Sequence, residues 1–498
     1  MSVTETYDEF CLRVRELSDL GHAAGMLGWD QETQMPKRGA QGRASVLGTL
    51  AGLHHEKLVD PQFADLVESL ADSVLEGDDE INVRETRRAQ QRAMRLPKEL
   101  VVELSRTQSL AHEAWVEARS ADDFAQFQPW LEKLLGLQLR VAEAVGYEGS
   151  VYNAFLDEFE PYARVEQMGP LLEQLRKRLV PLVGAILDRQ RGPDPSFQCD
   201  WDIGKQEAFG RQVIGDLGFD WDAGRLDVSV HPFCGGVGPD DVRLTTRYQA
   251  DQLTSSLFGI IHETGHGLYE QGLPPEQAGL PVCESISLGI HESQSRMLEN
   301  MVGRSRAFWQ HQLPRMQEFF PDQLRSVDVE QMYREVNRVE ASMIRVEADE
   351  VTYNLHILLR FELEQALVAG EIAVADLPGI WNERMESYLG IRPANDAEGV
   401  LQDIHWSSGL MGYFPTYTLG NLYAAQLFVQ ARHDLGDLEA QFARGETAPL
   451  LSWLREKVHS RGRRVTATQL VEEVTGRPLG IDDLMNYLEG KFGELYDL

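Results

Sequence analysis

Apolar residues recur at three- and four-residue steps through much of the chain. Phe10, Val14, Leu17 and Leu20 form one stripe, Leu47, Leu50 and Leu53 a second, and Phe63, Leu66, Leu70 and Val74 a third. Leu131, Leu134, Leu135 and Val141 continue the pattern less cleanly, with Gln138 reading as a break, and Leu484, Leu488, Phe492 and Leu495 repeat it near the C-terminus. Such spacings predict amphipathic helices. Arg191-Gly192-Pro193-Asp194-Pro195-Ser196 is a loop signal that ends the first helical part. Period-two alternation then appears in Leu226-Asp227-Val228-Ser229-Val230 and again from Val242 to Tyr248, with the turn-rich Cys234-Gly235-Gly236-Val237-Gly238-Pro239 between them. This predicts a small antiparallel pair of strands. An exposed edge of such a pair could hold an extended peptide by main-chain hydrogen bonds. No internal repeat or low-complexity tract interrupts the chain.

Composition narrows the function classes. The 498 residues include 79 acidic and 47 basic side chains, a formal net charge of −32. A surface of that sign repels phosphate backbones and anionic lipid, so neither nucleic acid nor a membrane is expected as a partner. Cys11, Cys199, Cys234 and Cys283 are widely spaced and make no CxxC pair, which argues against a disulfide framework or a thiolate metal site. The segment Met1 to Leu12 carries Glu5, Asp8 and Glu9 and no apolar h-region, and no run of about 18 apolar residues occurs. A cytoplasmic protein is the expectation.

The chemistry concentrates in one helix. Leu253, Leu257, Ile260, Ile261 and Leu268 mark the buried face of a helix from Leu253 to Tyr269 that carries His262-Glu263-Thr264-Gly265-His266. Histidines four apart lie one turn apart on a common face. Two neutral imidazoles so placed can hold one Zn²⁺ at about 2.0–2.1 Å. Glu263, beside His262, is placed to take a proton from water there, which is the physical content of H-E-x-x-H. Paired histidines also occur as packed core residues. A third ligand is needed, and the longer pattern with a third histidine fails because Tyr269 stands at its glycine position. Glu270, Glu276, Glu284, Glu292 and Glu299 are the candidates. Glu270 lies too far along the same helix to close the site easily, and Glu276 lies in the Pro274-Pro275 turn. Spacing does not choose between Glu284 and Glu292, either of which a returning helix could bring past the histidines.

Further stretches carry a resemblance. Trp29-Asp30-Gln31-Glu32-Thr33 with Met35-Pro36, Asp241-Val242-Arg243-Leu244-Thr245, His291-Glu292-Ser293-Gln294, Ile344-Arg345-Val346-Glu347-Ala348-Asp349, Gly399 to Trp406, and Gly412-Tyr413-Phe414-Pro415-Thr416-Tyr417 follow the HExxH segment or precede it in a fixed order. Together they resemble the thermostable carboxypeptidase family of metallopeptidases, the carboxypeptidase Taq family, from about residue 29 to residue 423. The resemblance implies metal ligands His262, His266 and Glu292, with Glu263 as general base and acid. It implies stepwise removal of single amino acids from peptide C-termini with broad side-chain tolerance. It also implies a mainly helical, deeply grooved, commonly homodimeric fold, usually with zinc and sometimes active with cobalt. The whole chain, residues 1–498, is then read as a single catalytic unit, with a helical part of about 1–190 and a metal-site and substrate part of about 200–498.

The remaining motif residues suggest roles. His405, Tyr413 and Tyr417 can each donate to a developing oxyanion, with His405 and Tyr417 favoured; aromatic packing is the plain alternative for the tyrosines. A free terminal carboxylate is best met by an arginine fork, and Arg345, Arg243 and Arg392 are the candidates. Arg345 is read in a helix from Ile344 to Leu359, where an ion pair with Asp349 is its alternative. Gln402 could hold substrate main chain, and Asp241 and Asp403 could orient a ligand histidine or a nearby base. The rival readings are an endopeptidase or aminopeptidase of the same motif class, a silent peptide-binding scaffold, and a metal store. An intact Glu263 weighs against the scaffold, and the lack of Cys/His-rich tracts against the store.

Overall fold

The computed structural model describes residues 2–190 and 192–498; Arg191, the first residue of the expected loop, lies outside them. Helices carry the chain from Val3–Thr33 through Val165–Leu187, and again from Leu253–Glu270 to Asp482–Tyr496. Their ends follow local chemistry. Ser2 and Glu5 form a reciprocal capping box on the first helix, and the Asp60 carboxylate caps Pro61–Ala71 through the amide of Phe63. Phe10, Val14 and Leu17 of the first stripe are buried, as are Phe63 and Leu70 of the third and all four C-terminal residues. The second stripe forms the helix Ala40–Leu58 but buries none of its residues. Val74 lies beyond the helix Pro61–Ala71 and is 91% exposed. Gln138 breaks nothing: the helix Phe124–Val145 runs through it, and its side chain is buried. One hydrophobic core runs from Leu100 to Tyr496, and a smaller cluster joins Phe10, Val14, Phe63, Val67 and Leu280.

The sheet departs from expectation. It has three strands, β1 (Gly224–Val228), β2 (Cys234–Gly238) and β3 (Asp241–Thr246), in the order β1-β3-β2. The two alternating segments pair parallel, from Gly224 opposite Val242 to Val228 opposite Thr246. The turn-rich segment between them is itself the antiparallel partner of β3, with Cys234 opposite Leu244 and an irregularity between Gly236 and Gly238. Two reversals of direction make β1 and β3 parallel. The glycines that read as a turn serve a strand: a Cβ on Gly236, at φ 155°, would lie 2.0 Å from the carbonyl oxygen of Asp241.

The helix Leu253–Glu270 packs on this sheet and is crossed by the helix Leu288–Arg296. The crossing is close because of Gly265, where a Cβ would stand 2.5 Å from the Gln294 carbonyl oxygen and the Ser295 Cα. Gly265→Ala should therefore lower stability by about 1–3 kcal/mol, the usual cost of overpacking, and move the histidines relative to Glu292. Chemical denaturation of the metal-free protein checks this, and an unchanged midpoint would show that the crossing has slack.

Candidate metal centre

His262 and His266 project from the helix Leu253–Glu270, and Glu292 from the helix Leu288–Arg296, whose first turn is capped by the Ser287 hydroxyl accepting from the Ile290 amide. The Glu292 Oε2 lies 3.5 Å from His262 Nε2 and 3.4 Å from His266 Nε2. Among the described residues these three form the one group of histidine, cysteine and carboxylate atoms able to share an ion, all within 4.8 Å. Ligands at about 2.0–2.1 Å around a tetrahedral zinc stand about 3.3–3.4 Å apart along each edge. The nitrogen–oxygen separations match that edge, and two imidazoles with one carboxylate form a donor set that suits zinc. The residues fit a divalent ion. Glu284, the other candidate left open by spacing, pairs with Arg463 and lies outside the group.

The surroundings fix the three candidate side chains. His262 Nδ1 lies 2.9 Å from the Glu299 carboxylate, which can only accept, so Nδ1 carries the proton and Nε2 keeps its lone pair toward Glu292. His266 Nδ1 is 2.5 Å from His291 Nδ1, and His291 Nε2 is 2.7 Å from the Glu270 carboxylate. Glu270 therefore accepts from His291, His291 accepts from His266, and His266 Nε2 is also left with its lone pair inward. Burial, with His291 beside it, pushes His266 down to about 3, so the ring stays neutral. For His262 burial acts downward too, but the carboxylates of Glu292 and Glu299 outweigh it and the net shift is upward. Arg296 holds Glu292 Oε1 at 2.7 Å and Glu299 at 3.3 Å. Burial acts against both anions, yet Arg296 and the histidines keep both well below the usual carboxylate range. Glu263 is buried beside them, and burial pushes it up to about 7 against the opposing pull of His262.

Asp241 and Asp403 do not touch the candidate ligand histidines, which Glu299 and the Glu270–His291 pair orient, while Asp403 Oδ1 lies 3.9 Å from His405 Nδ1. Glu299 was legible only as a possible ligand, although it stands seven residues past Glu292, two turns along a face. The helix continues through a π-helical segment, Met297–Gly303, that carries it. Asp241 instead grips Arg243 with both oxygens, and the Arg243 guanidinium stacks 4.5 Å from the Trp29 ring. Arg392 pairs with Glu386 at the surface.

A second cluster adjoins the first through Arg296, whose guanidinium lies 4.1 Å from the Tyr353 ring. Tyr353 accepts from Arg345 Nη1 at 3.1 Å. Arg345 is not in an α-helix. It opens a single 3-10 turn, Arg345–Glu347, and the α-helix starts only at Tyr353, so the Arg345–Asp349 pair does not form. The Asp349 carboxylate instead accepts from the amides of Val351 and Thr352, in the turn that precedes that helix. Arg345 Nε donates to Asp403 at 2.9 Å, and its guanidinium lies 5.1 Å from the Tyr417 ring. Nη2 makes no hydrogen bond among the described residues. Asp403 also holds Arg360, which is fully buried, at 2.6 Å. Burial raises Asp403, but Arg360 and Arg345 outweigh it and hold it well below the usual range. His405 Nε2 lies 3.3 Å from the Tyr417 hydroxyl, and burial pushes His405 down to about 4. Tyr413 packs 5.3 Å from His405 and 5.5 Å from Tyr417, ring to ring. Both ends of the Gln402 amide are engaged within the chain, accepting from the Arg345 amide and donating to the Met343 and Glu398 carbonyls. A cavity of about 410 Å³ is lined by Tyr7, Asp79 and Glu276 and shares no residue with either cluster.

The sequence profile of the carboxypeptidase Taq (M32) metallopeptidases matches residues 9–492. The chain belongs to this family. It is a metallocarboxypeptidase. Thermostable carboxypeptidase 1 of Thermus thermophilus is 44% identical over 496 residues, covering 97% of each chain. Carboxypeptidase 1 of Bacillus subtilis is 37% identical over 500 residues, covering 99% of each. The crystal structure of the M32 carboxypeptidase from Deinococcus radiodurans R1 superposes with a TM-score of 0.97 at 40% identity, covering 99% of this chain and all of that one (100%). The mainly helical fold and the metallocarboxypeptidase class expected from the sequence are both borne out.

Two outcomes follow for this metallocarboxypeptidase. Glu299→Gln should weaken metal binding about 10- to 100-fold, the usual cost of losing a partner behind a ligand; chelator competition reads it, and unchanged affinity would remove Glu299 from the centre. Asp403→Asn strands two buried guanidinium groups and should cost about 3–5 kcal/mol at neutral pH. Because the folded state depresses Asp403, its contribution is complete above the unfolded value of about 3.9 and is lost as pH falls through the depressed one. The variant should accordingly lose less stability than the parent on acidification below about pH 4. Denaturation midpoints across that range test the sign.

Proposed function

We propose that His262, His266 and Glu292 hold one Zn²⁺ per chain, for which Co²⁺ can substitute, and that the enzyme removes single amino acids stepwise from free C-termini with broad side-chain tolerance. A bound divalent ion supplies Lewis-acid polarisation and lowers the pKa of water. Glu263 then accepts the proton from water and returns it to the nitrogen of the leaving amine. Its buried position, with the carboxyl raised to about 7, suits a group that must both take and give a proton. Burial holds the Tyr417 phenol well above its ordinary value, so it remains an O–H donor, and with His405 it is placed to steady the developing oxyanion. Tyr413 flanks the same spot.

Arg345 carries the exopeptidase reading. Its Nε and Nη1 are committed to Asp403 and Tyr353, which fixes the plane of the fork, and its remaining edge is uncommitted beside Tyr417. A fixed guanidinium edge is the group that meets a terminal carboxylate with two parallel hydrogen bonds. Gln402 serves it by fixing the Arg345 main chain, while Arg243 is committed to Asp241 and Trp29. The chain acts as one catalytic unit: Trp115 Nε1 donates to the Leu401 carbonyl, and Tyr423 to the Glu160 carboxylate, across the expected boundary near residue 190. A deep substrate groove and homodimeric assembly rest on the family likeness, and a cytoplasmic location rests on composition.

The decisive measurement is amino-acid release from a free-acid peptide and its C-terminal amide by metal-loaded protein. Sequential release from the free acid alone is expected, with Glu263→Gln reducing it at least about 10²-fold. Arg345→Ala should raise KM and lower kcat/KM at least about 30-fold on the free acid, from the loss of about 2 kcal/mol or more when a buried charged partner is truncated. Internal cleavage of both peptides would make the enzyme an endopeptidase, and wild-type kinetics in Arg345→Ala would place carboxylate recognition elsewhere.

A further inference from the structure

His405 and Tyr413 stand on a segment that has no regular structure of its own. From Asn395 to Phe414 the chain forms only turns and bends, between the helices Leu377–Leu389 and Pro415–Leu435. In such a segment no hydrogen-bond ladder sets the position of a side chain, so other elements must set it. The helix Tyr353–Val368 does so with two residues one turn apart, Arg360 and Glu364, both fully shielded from solvent. Arg360 holds Asp403. Glu364 accepts from Trp406 Nε1 at 2.9 Å, from the Gly412 amide at 3.1 Å and from the Tyr152 hydroxyl at 2.7 Å. Trp406 adjoins His405, and Gly412 adjoins Tyr413. Tyr152 comes from the first half of the chain and braces the carboxylate from behind.

A carboxylate removed from water costs several kcal/mol unless its oxygens are filled by donors, and a well-packed apolar residue is commonly as stable or more so. Packing alone gives no reason for a glutamate at residue 364. The reason lies in its donors, Trp406 near the start of the His405–Met411 turn and Gly412 just past its end, which grip the segment at both ends of that turn. Gln108 and Gln138 add bonds to the Ser408 and Gly409 carbonyls within that turn. We propose that Glu364 is a positioning residue for hydrolysis, acting through Trp406 and Gly412 to hold His405 and Tyr413 where the oxyanion develops. This rests on the role given to His405 above.

The test is a mutant cycle on metal-loaded enzyme, with kcat and KM measured separately on a free-acid peptide and metal content and unfolding recorded for each variant. Displacement by about an ångström costs on the order of 10²-fold. Glu364→Gln should therefore lower kcat about 10- to 100-fold, with KM within about threefold and full metal content. His405→Ala should lower kcat by at least as much. The double variant should lose clearly less than the product of the two single losses, because the part of Glu364 that acts through His405 adds nothing once that ring is gone, while the part that acts through Gly412 on Tyr413 persists. Trp406→Phe deletes one donor and leaves Glu364 in place. It should lower kcat in the same direction and show the same lack of additivity, and it serves the comparison if Glu364→Gln does not fold. Near-normal kcat in Glu364→Gln, or losses that multiply in the double variant, would overturn the proposal. Normal kcat in His405→Ala would instead overturn the role of His405, and this inference with it.

Discussion

Two imidazole lone pairs facing one carboxylate oxygen, each within about 3.5 Å of it, are stable only where other groups compel the arrangement. Much of the molecule around residues 262–299 serves that constraint. Gly265 lets one helix cross the other closely enough for Glu292 to reach the histidines. The Ser287 cap starts the second helix at a fixed point, so Glu292 falls on its inner face. Arg296, one turn beyond Glu292, occupies the other carboxylate oxygen and keeps the group ionised in a place where burial favours the neutral acid.

The same economy links this centre to the residues proposed to meet the substrate. Arg296 stacks on Tyr353, and Tyr353 opens the helix that carries Arg360 and Glu364. Buried charges therefore form a nearly continuous path from Glu299 to Glu364. Each is matched by a partner of opposite sign or by several donors, which is the condition under which buried charge is tolerated. Asp403 is shared by two guanidinium groups, so the neighbourhood keeps an excess of positive charge next to His405. That excess adds to the burial that holds His405 neutral.

The sequence made the HExxH helix legible because its information is local: a spacing of four and an apolar face suffice. The choice between Glu284 and Glu292 was not local. It depends on the path of residues 271–287 and on a helix crossing set by Gly265, and the family resemblance supplied what spacing did not. Arg345 was misread for a related reason. Its neighbours form a helical pattern by composition, but the Asp349 carboxylate is taken by the amides of Val351 and Thr352 in the turn that precedes the helix, which leaves Arg345 for Asp403. The strands failed at connectivity, not at existence. Alternation found β1 and β3, but glycine-rich β2 has too few side chains to alternate, so its place beside β3 and the parallel sense of β1 were hidden.

The two histidines proposed as ligands are held by different means. His262 leans directly on the Glu299 carboxylate, while His266 reaches the Glu270 carboxylate only through the ring of His291. A direct carboxylate partner makes an imidazole a stronger donor to a metal, whereas an intervening neutral ring passes on the tautomer but dilutes the charge. Glu299 is also neutralised by Arg296 and Arg304, and Glu270 is more exposed than either ligand histidine. The charge placed behind the centre is thereby limited on both sides, by ion pairing on one and by distance and solvent on the other. Were a divalent ion held here, this moderation would leave it electron-poor enough to polarise a carbonyl, since every increment of charge donated by its ligands would weaken that polarisation.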